Sequence, residues 1–253
     1  MTESDSELTS AVQRLVEWMA KAERAVVFTG AGMSTESGLP DFRSAGGLWR
    51  QNRRFEELAS IDAFSREPEE FAEFYRWRIE RLARHAPHAG HVALAEFEAK
   101  GRIQALITQN VDGFHEAAGS RNVLCLHGSL RQVRCQRCGD TRSSDTYLVP
   151  SGEHCQRCPG RMRPCVVLFG EALDAEVLNT AALLSRDSDL FMVFGSSLAV
   201  SPANSLPELA LRGGARLVIV NQEPTPLDGR ADLVLRTKIG PLLALVRHEL
   251  GAP

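Results

Sequence analysis

The sequence has no excess of basic charge: 29 lysines and arginines stand against 32 aspartates and glutamates, a formal net charge of -3. That balance excludes a general binder of nucleic acid or of anionic membranes, which works through a positive field. No apolar run approaches the roughly 20 residues a membrane-crossing helix needs, so neither a membrane nor a specific nucleic acid is an expected partner. No internal repeat and no low-complexity tract interrupts the chain. The first ten residues, MTESDSELTS, are polar and acidic and hold no secretory apolar core; a cytoplasmic location is the expectation. What is there is ordinary globular material, 43% hydrophobic and 24% charged. A length of 253 residues admits one large domain, or one domain carrying an inserted module.

Cysteine is sparse, at six residues, but four of them form two close pairs. Cys135-Gln136-Arg137-Cys138 and Cys155-Gln156-Arg157-Cys158 have the two-knuckle spacing with which four thiolates surround one tetrahedral zinc ion. In a reducing compartment this spacing favours a metal over disulfides. Four thiolates leave no open position, so the zinc is expected to be structural and to activate no water. Cys125 and Cys165 lie in apolar runs and read as core.

Leu8, Val12, Leu15, Val16 and Met19 recur at helical spacing and predict an amphipathic helix over 7–22. Short apolar runs predict strands at Ala25–Phe28, Ile103–Thr108, Val123–Leu126, Leu190–Phe194, Leu217–Val220 and Leu233–Leu235. Helical patterns lie between them at 88–100, 174–186 and 203–212. Fully apolar strands alternating with helices imply an α/β fold: a Rossmann-like parallel sheet with helices on both faces. Two segments break the alternation. Residues 42–86 are helical without a strand, and 129–164 are arginine-rich and hold the cysteine pairs. They are expected to form a smaller inserted lobe against a large one made of 1–41, 87–128 and 165–253.

The strand tips carry the candidate site. Gly30-Ala31-Gly32 follows an apolar strand and lets backbone amides approach a pyrophosphate, but the next glycine is Gly38, so the usual dinucleotide spacing fails. Gln109, Asn110 and Asp112 follow another strand, Gly195-Ser196-Ser197 a third, and Asn221-Gln222-Glu223 a fourth. An acidic side chain just past a strand suits ribose hydroxyls. Four such tips together imply a cofactor cleft. His127, between a strand and the cysteine module, is a candidate general base because its pKa lies near neutrality. His85, His88, His91 and His248 read as surface residues.

Taken in order, "GAGMSTESGLPDFRS", "TQNVDGFHEAAGS", "LHGS", the paired cysteines, "VVLFGE", "GSSLAVSPA" and "NQE" resemble the sirtuins, NAD-dependent protein-lysine deacylases, over almost the whole chain. The resemblance implies that NAD is consumed as a co-substrate and that acylated-lysine proteins are the partners. It implies a cofactor loop from Gly30 to Trp49, with Ala31, Gly32 and Ser34 near the nicotinamide ribose and Phe42 and Arg43 covering the reactive end. Gln109, Asn110 and Asp112 would hold nicotinamide and its ribose. Gly195, Ser196, Ser197, Asn221, Gln222 and Glu223 would hold the adenosine half, with Ile239 near the adenine. His127, with Asn110, would be catalytic: the acyl oxygen attacks the ribose as nicotinamide leaves, and the histidine then helps deprotonate a ribose hydroxyl. O-acyl-ADP-ribose and free lysine are the products implied. Residues 166–171, among them Val167, Phe169, Gly170 and Glu171, would pair with the substrate backbone. Gly-Ser-Ser stands where the family usually has Gly-Thr-Ser, which keeps the hydroxyl.

Within the family, "SAGGLW" and "FYRWR" are similar to the subgroup that removes succinyl and malonyl groups. That likeness implies that Ala45 makes room in the acyl pocket and that Tyr75 and Arg78 read a carboxylate. Phe71, Tyr75, Arg78 and Leu82 share one face of a helix predicted over Pro68–Arg84, and an arginine there otherwise snorkels to solvent. The chain departs from the subgroup in keeping "LPDFR", where threonine more often precedes the phenylalanine. Two other readings of the residues stand beside deacylation: a protein ADP-ribosyltransferase using the same cleft, and a non-enzymatic zinc-ribbon binding module.

Overall fold

The computed structural model describes residues 3–251. A long helix, α1 (Glu3–Lys21), leads into β1 (Ala25–Thr29). Four helices follow: α2 (Leu48–Gln51), α3 (Arg54–Leu58), α4 (Ile61–Arg66) and α5 (Pro68–Ala83). Next come α6 (Ala89–Ala99), β2 (Ala105–Thr108), α7 (Phe114–Ala117) and β3 (Val123–Cys125). The cysteine pairs lie in and beside β4 (Gly128–Cys135), β5 (Thr141–Ser143) and β6 (Met162–Val166). The remainder is α8 (Ala175–Asp187), β7 (Leu190–Phe194), α9 (Leu206–Arg212), β8 (Arg216–Val220), β9 (Leu233–Leu235) and α10 (Ile239–Glu249). The helical pattern over 203–212 resolves into a short 3-10 turn, Ala203–Ser205, followed by α9. No helix among the described residues is long and apolar enough to cross a membrane.

Six strands make one parallel sheet in the order β3-β2-β1-β7-β8-β9. Their side chains alternate between two cores. Val27, Leu106, Met192 and Val218 pack with Leu15 of α1, Leu94 of α6 and Leu242 of α10. Val26, Ile107, Phe191 and Ile219 pack on the other side with Ala181 of α8 and Leu206 and Ala210 of α9. Burial on both faces is why these strands read as unbroken apolar runs. The strand order reverses between β1 and β7, and the carboxyl ends on either side of such a reversal frame a crevice. Gly30 and Gly195 stand at those two ends.

A three-stranded antiparallel sheet, β5-β4-β6, carries the cysteines. It shares a third core with α5, where Phe71, Phe74, Tyr75 and Ile79 pack with Val133, Tyr147, Met162 and Leu168. Three sequence expectations are corrected. His91 is 0% exposed, because α6 turns it into the protein. Cys125 and Cys165 are half-buried instead of core; Cys125 donates its thiol to Glu116 Oε1 at 3.1 Å, a partner at the protein surface.

Candidate active site

The apolar strand β1 ends at Thr29, and the chain then tightens into a 3-10 turn, Ala31–Ser37. Gly32 N–H donates to Gly195 O at 2.8 Å, which binds this turn to the tip of β7. Gly195 holds φ at +64°, and a Cβ on it would lie 2.2 Å from Met33 N, so only glycine lets the two tips meet this closely. A cleft of about 1010 Å³ opens over them. Its wall takes Ala31, Gly32 and Ser34 from the first turn, Gln109, Asn110 and Asp112 from the tip of β2, and His127 after β3. Gly195, Ser196 and Ser197 follow β7, and Asn221 and Glu223 follow β8. Phe42, Arg43, Ala45 and Trp49 line it from the segment after the turn, Arg78 from α5, and Val167, Phe169, Gly170 and Glu171 from beyond β6.

Four expected site residues are not on that wall. Gly30 lies beneath it, its Cα packed so tightly that a Cβ would sit 2.8 Å from Gly195 O. Gln222 is exposed and points off the cleft between Asn221 and Glu223. Ile239 is 5% exposed in the core under β8 and β9, where its N–H donates to Glu36 Oε1 at 2.8 Å. Tyr75 is 1% exposed, and its ring fills the core below α5. Conversely, the wall includes Arg81, Val200, Ser201 and Pro202, none of them expected. The last three belong to the motif "GSSLAVSPA", whose first residues alone signal a cofactor contact by following a strand.

His127 donates from Nδ1 to Gln109 O at 2.9 Å. That bond assigns the proton to Nδ1 and leaves Nε2 as the basic nitrogen. Burial lowers the pKa of His127 below its ordinary value, against a smaller opposing effect of the Gln109 carbonyl, so the ring is neutral at neutral pH. Gly128 follows with φ +74°, and a Cβ there would meet Cys165 O at 2.0 Å; the glycine lets β4 start directly behind the imidazole. The Asn110 amide donates to Gly30 O at 3.0 Å and to Ser34 Oγ at 3.1 Å. Ser34 Oγ in turn donates to Asp112 Oδ2 at 2.7 Å, and Asp112 Oδ1 accepts from Phe114 N–H at 2.9 Å. Burial raises the pKa of Asp112, opposed by those two donors. Ser196 Oγ donates to Gln109 Oε1 at 2.7 Å, so the tips of β2 and β7 are also joined by side chains.

Gly38 caps the first turn, its N–H donating to Thr35 O at 3.0 Å, and Pro40 and Asp41 follow. Asp41 Oδ1 accepts from Arg43 N–H at 3.1 Å and Ser44 N–H at 3.0 Å, a side-chain-closed turn that no helix continues. It brings Phe42 onto Trp49, with ring centroids 4.9 Å apart, and Trp49 stands 6.3 Å from Phe169. The segment beyond β6 is held from two sides: Val167 N–H donates to His127 O, and Phe169 N–H to Ala59 O, both at 2.9 Å. Glu171 presents no free carboxylate to the cleft. Arg163, itself buried, donates to it from both terminal nitrogens at 2.6 and 3.1 Å, and Leu168 N–H donates at 2.9 Å.

The Sγ atoms of Cys135, Cys138, Cys155 and Cys158 all lie within 4.8 Å of one another. Cys135 and Cys158 are 3.5 Å apart, and Cys138 and Cys155 3.7 Å. Four zinc–sulfur bonds of about 2.3 Å require tetrahedron edges of about 3.8 Å, so the cluster fits one zinc ion. Arg137 and Arg157 N–H donate to Cys135 and Cys155 Sγ at 3.4 Å, the backbone bonds that stabilise thiolates in each knuckle.

The chain matches the Sir2 family over residues 30–202. It is 52% identical over 241 residues to a protein of Geobacillus kaustophilus named NAD-dependent protein deacetylase 1, covering 94% of this chain and 98% of that one. A protein of Aeropyrum pernix named NAD-dependent protein deacylase is 47% identical over 225 residues, 87% of this chain and 89% of that one. A solved Sir2 complex with a deacetylated p53 peptide and 3'-O-acetyl ADP ribose superposes with a TM-score of 0.89 at 36% identity, covering 95% of this chain and 98% of the other. A Sir2 homolog–NAD complex superposes with a TM-score of 0.86 at 42% identity, over 95% and 94% of the two chains. These likenesses span the sheet, its crevice and the cysteine cluster alike, and by them the chain belongs to the Sir2 family.

Proposed function

We propose that this chain is an NAD-consuming protein-lysine deacylase whose acyl pocket takes groups ending in a carboxylate, succinyl or malonyl, as well as acetyl. Relatives named as NAD-dependent deacetylases and deacylases support the deacylase reading. The specificity reading rests on Arg78. Its guanidinium lines the cleft and forms no ion pair among the described residues, lying instead against the rings of Phe42, Phe74 and Tyr75 at 5.8, 5.7 and 5.6 Å. Burial lowers its pKa, only partly offset by Tyr75. A half-buried cation on the cleft wall with no ion-pair partner of its own is suited to a carboxylate brought by a ligand.

The cleft fits an elongated dinucleotide: polar groups of β1 and β2 stand at one end, and Ser196, Ser197, Asn221 and Glu223 line the half toward β8. Bound NAD supplies the ribose carbon to which the acyl oxygen transfers as nicotinamide departs. The protein's part is positional. Gln109, Asn110 and Asp112 hold the nicotinamide end, while Glu223 and Asn221 hold ribose hydroxyls of the adenosine half. Phe42 and Arg43, carried on the Asp41 turn, close over the reacting end and keep competing water out. His127 Nε2 takes the proton of a ribose hydroxyl. On this reading the large lobe (1–41, 87–128, 165–253) and the small lobe (42–86, 129–164) form the two walls. Four cysteines grouped for zinc and not paired in disulfides suit a reducing compartment, in keeping with the cytoplasm.

Parallel assays on succinyl-lysine and acetyl-lysine peptides test the specificity. In Arg78→Met, succinyl turnover falls by about 1.5–3 kcal/mol in transition-state terms, the strength of a hydrogen bond to a charged group, and acetyl turnover stays near its starting rate. Equal losses on both peptides reject a carboxylate-reading Arg78.

A further inference from the structure

His115 is 1% exposed on α7 and His91 0% exposed on α6, and their ring centroids are 4.9 Å apart. Neither ring lines the cleft. His91 Nδ1 accepts from His88 N–H at 3.3 Å, so His91 carries its proton on Nε2. His115 Nε2 lies 3.0 Å from Thr29 Oγ1, and the Thr29 hydroxyl donates to Thr108 Oγ1 at 2.8 Å. In that order Thr29 accepts from His115 Nε2–H, and His115 Nδ1 is left as a bare acceptor. His91 Nε2 and His115 Nδ1 have no protein partner: a donor and an acceptor on adjacent rings, complementary to each other. Burial lowers the pKa of His91 to about 2 and that of His115 to about 3, so both rings are neutral at neutral pH.

An apolar side chain would fill this interior without leaving polar atoms unpaired. What the imidazole adds is direction. Thr29 and Thr108 are register partners at the tips of β1 and β2. Thr108 Oγ1 also accepts from Asn110 N–H at 3.0 Å, while Gly30, the residue after Thr29, accepts from the Asn110 amide through its carbonyl. Two of the three anchors of Asn110 therefore start from the two threonines that His115 orders, the third being Ser34 Oγ. We propose that His115 is a positioning residue for nicotinamide release: through Thr29 and Thr108 it fixes the backbone of Asn110 and the strand tip that holds the Asn110 amide. His91, kept neutral beside it, leaves the His115 proton on Nε2. This inference rests on the proposed NAD-consuming activity.

The experiment measures nicotinamide release with NAD and an acyl-lysine peptide for the full chain and for His115→Phe, His115→Gln and Thr29→Val. His115→Phe keeps the ring and loses the donor; kcat falls about tenfold, the rate equivalent of about 1.4 kcal/mol, with the peptide KM held within about twofold. His115→Gln, whose amide N–H reaches where Nε2–H does, recovers most of the rate. Thr29→Val, nearly isosteric, shows the same kcat loss and decides the matter should the phenylalanine variant not fold. Unchanged kcat in folded His115→Phe or Thr29→Val overturns the proposal, as does a loss in His115→Gln equal to that in His115→Phe. Absence of nicotinamide release from the unaltered protein contradicts the proposed activity itself and is told apart from these outcomes by that control.

Discussion

His127→Ala is expected to lose deacylation by about 10²–10⁴-fold, the usual contribution of a placed general base, while keeping its fold and its zinc. The ring touches the protein through one polar bond, Nδ1–H to Gln109 O, and that bond selects the tautomer whose Nε2 is free to serve as the proposed base. The pH dependence follows from the environment. Burial lowers the pKa of His127 from its ordinary 6.5, and only the neutral ring accepts a proton. Activity of the unaltered enzyme therefore rises as pH climbs through the lowered pKa and is flat above it, so the acid limb lies below pH 6.5. In His127→Ala the residual rate lacks that limb. A residual profile with the limb still present would assign it to another group, and near-normal deacylation by the alanine variant would remove His127 from the reaction. Rate–pH profiles on one acyl-lysine peptide measure both.

Removal of zinc is the second large effect. Apparent binding energies of about 10–16 kcal/mol are typical of such thiolate sites, as large as the whole stability of many domains, about 5–15 kcal/mol. Here the metal-bearing sheet does not stand apart. Val133, Cys135 and Met162 share a core with Phe71, Phe74 and Tyr75 of α5, and α5 carries Arg78. A strong chelator is expected to melt β4–β6, loosen α5 and the segment 166–171, and abolish turnover, with one zinc released per chain. Cys138→Ala or Cys155→Ala should act alike. Thermal melting with a colorimetric zinc titration measures this; a chelated protein that melts and turns over as before would mean that the ribbon holds without its ion.

Much of the architecture is legible in the sequence because its strands are short, apolar and covered on both faces, so that Val27 and Val26 serve opposite cores from adjacent positions. The cysteine spacing speaks for itself, since two knuckles have few other uses. Side-chain direction is where the reading stops. Tyr75 and Arg78 were placed on one helical face, yet three residues of helix turn about 300°, leaving the two side chains about 60° apart. That angle sends Tyr75 into the core and Arg78 to the cleft. In the tip after β8, Asn221 and Glu223 reach the cleft while Gln222, between them, turns to solvent. Glu171 lines the cleft as its segment implies, but nothing in the chain announces that Arg163 will take its carboxylate. His91 and His115 were unreadable as buried groups, since their partners, the His88 N–H and Thr29, depend on how a capped helix and two strand tips meet.

The most direct test of the account counts products. Purified protein, NAD and an acyl-lysine peptide are incubated together, and mass spectrometry follows nicotinamide, peptide and ADP-ribose species with time. The account predicts one nicotinamide and one O-acyl-ADP-ribose for each peptide that loses its acyl group. Nicotinamide released with ADP-ribose attached to protein and the peptide still acylated would contradict it, and so would no nicotinamide with any acyl-lysine offered.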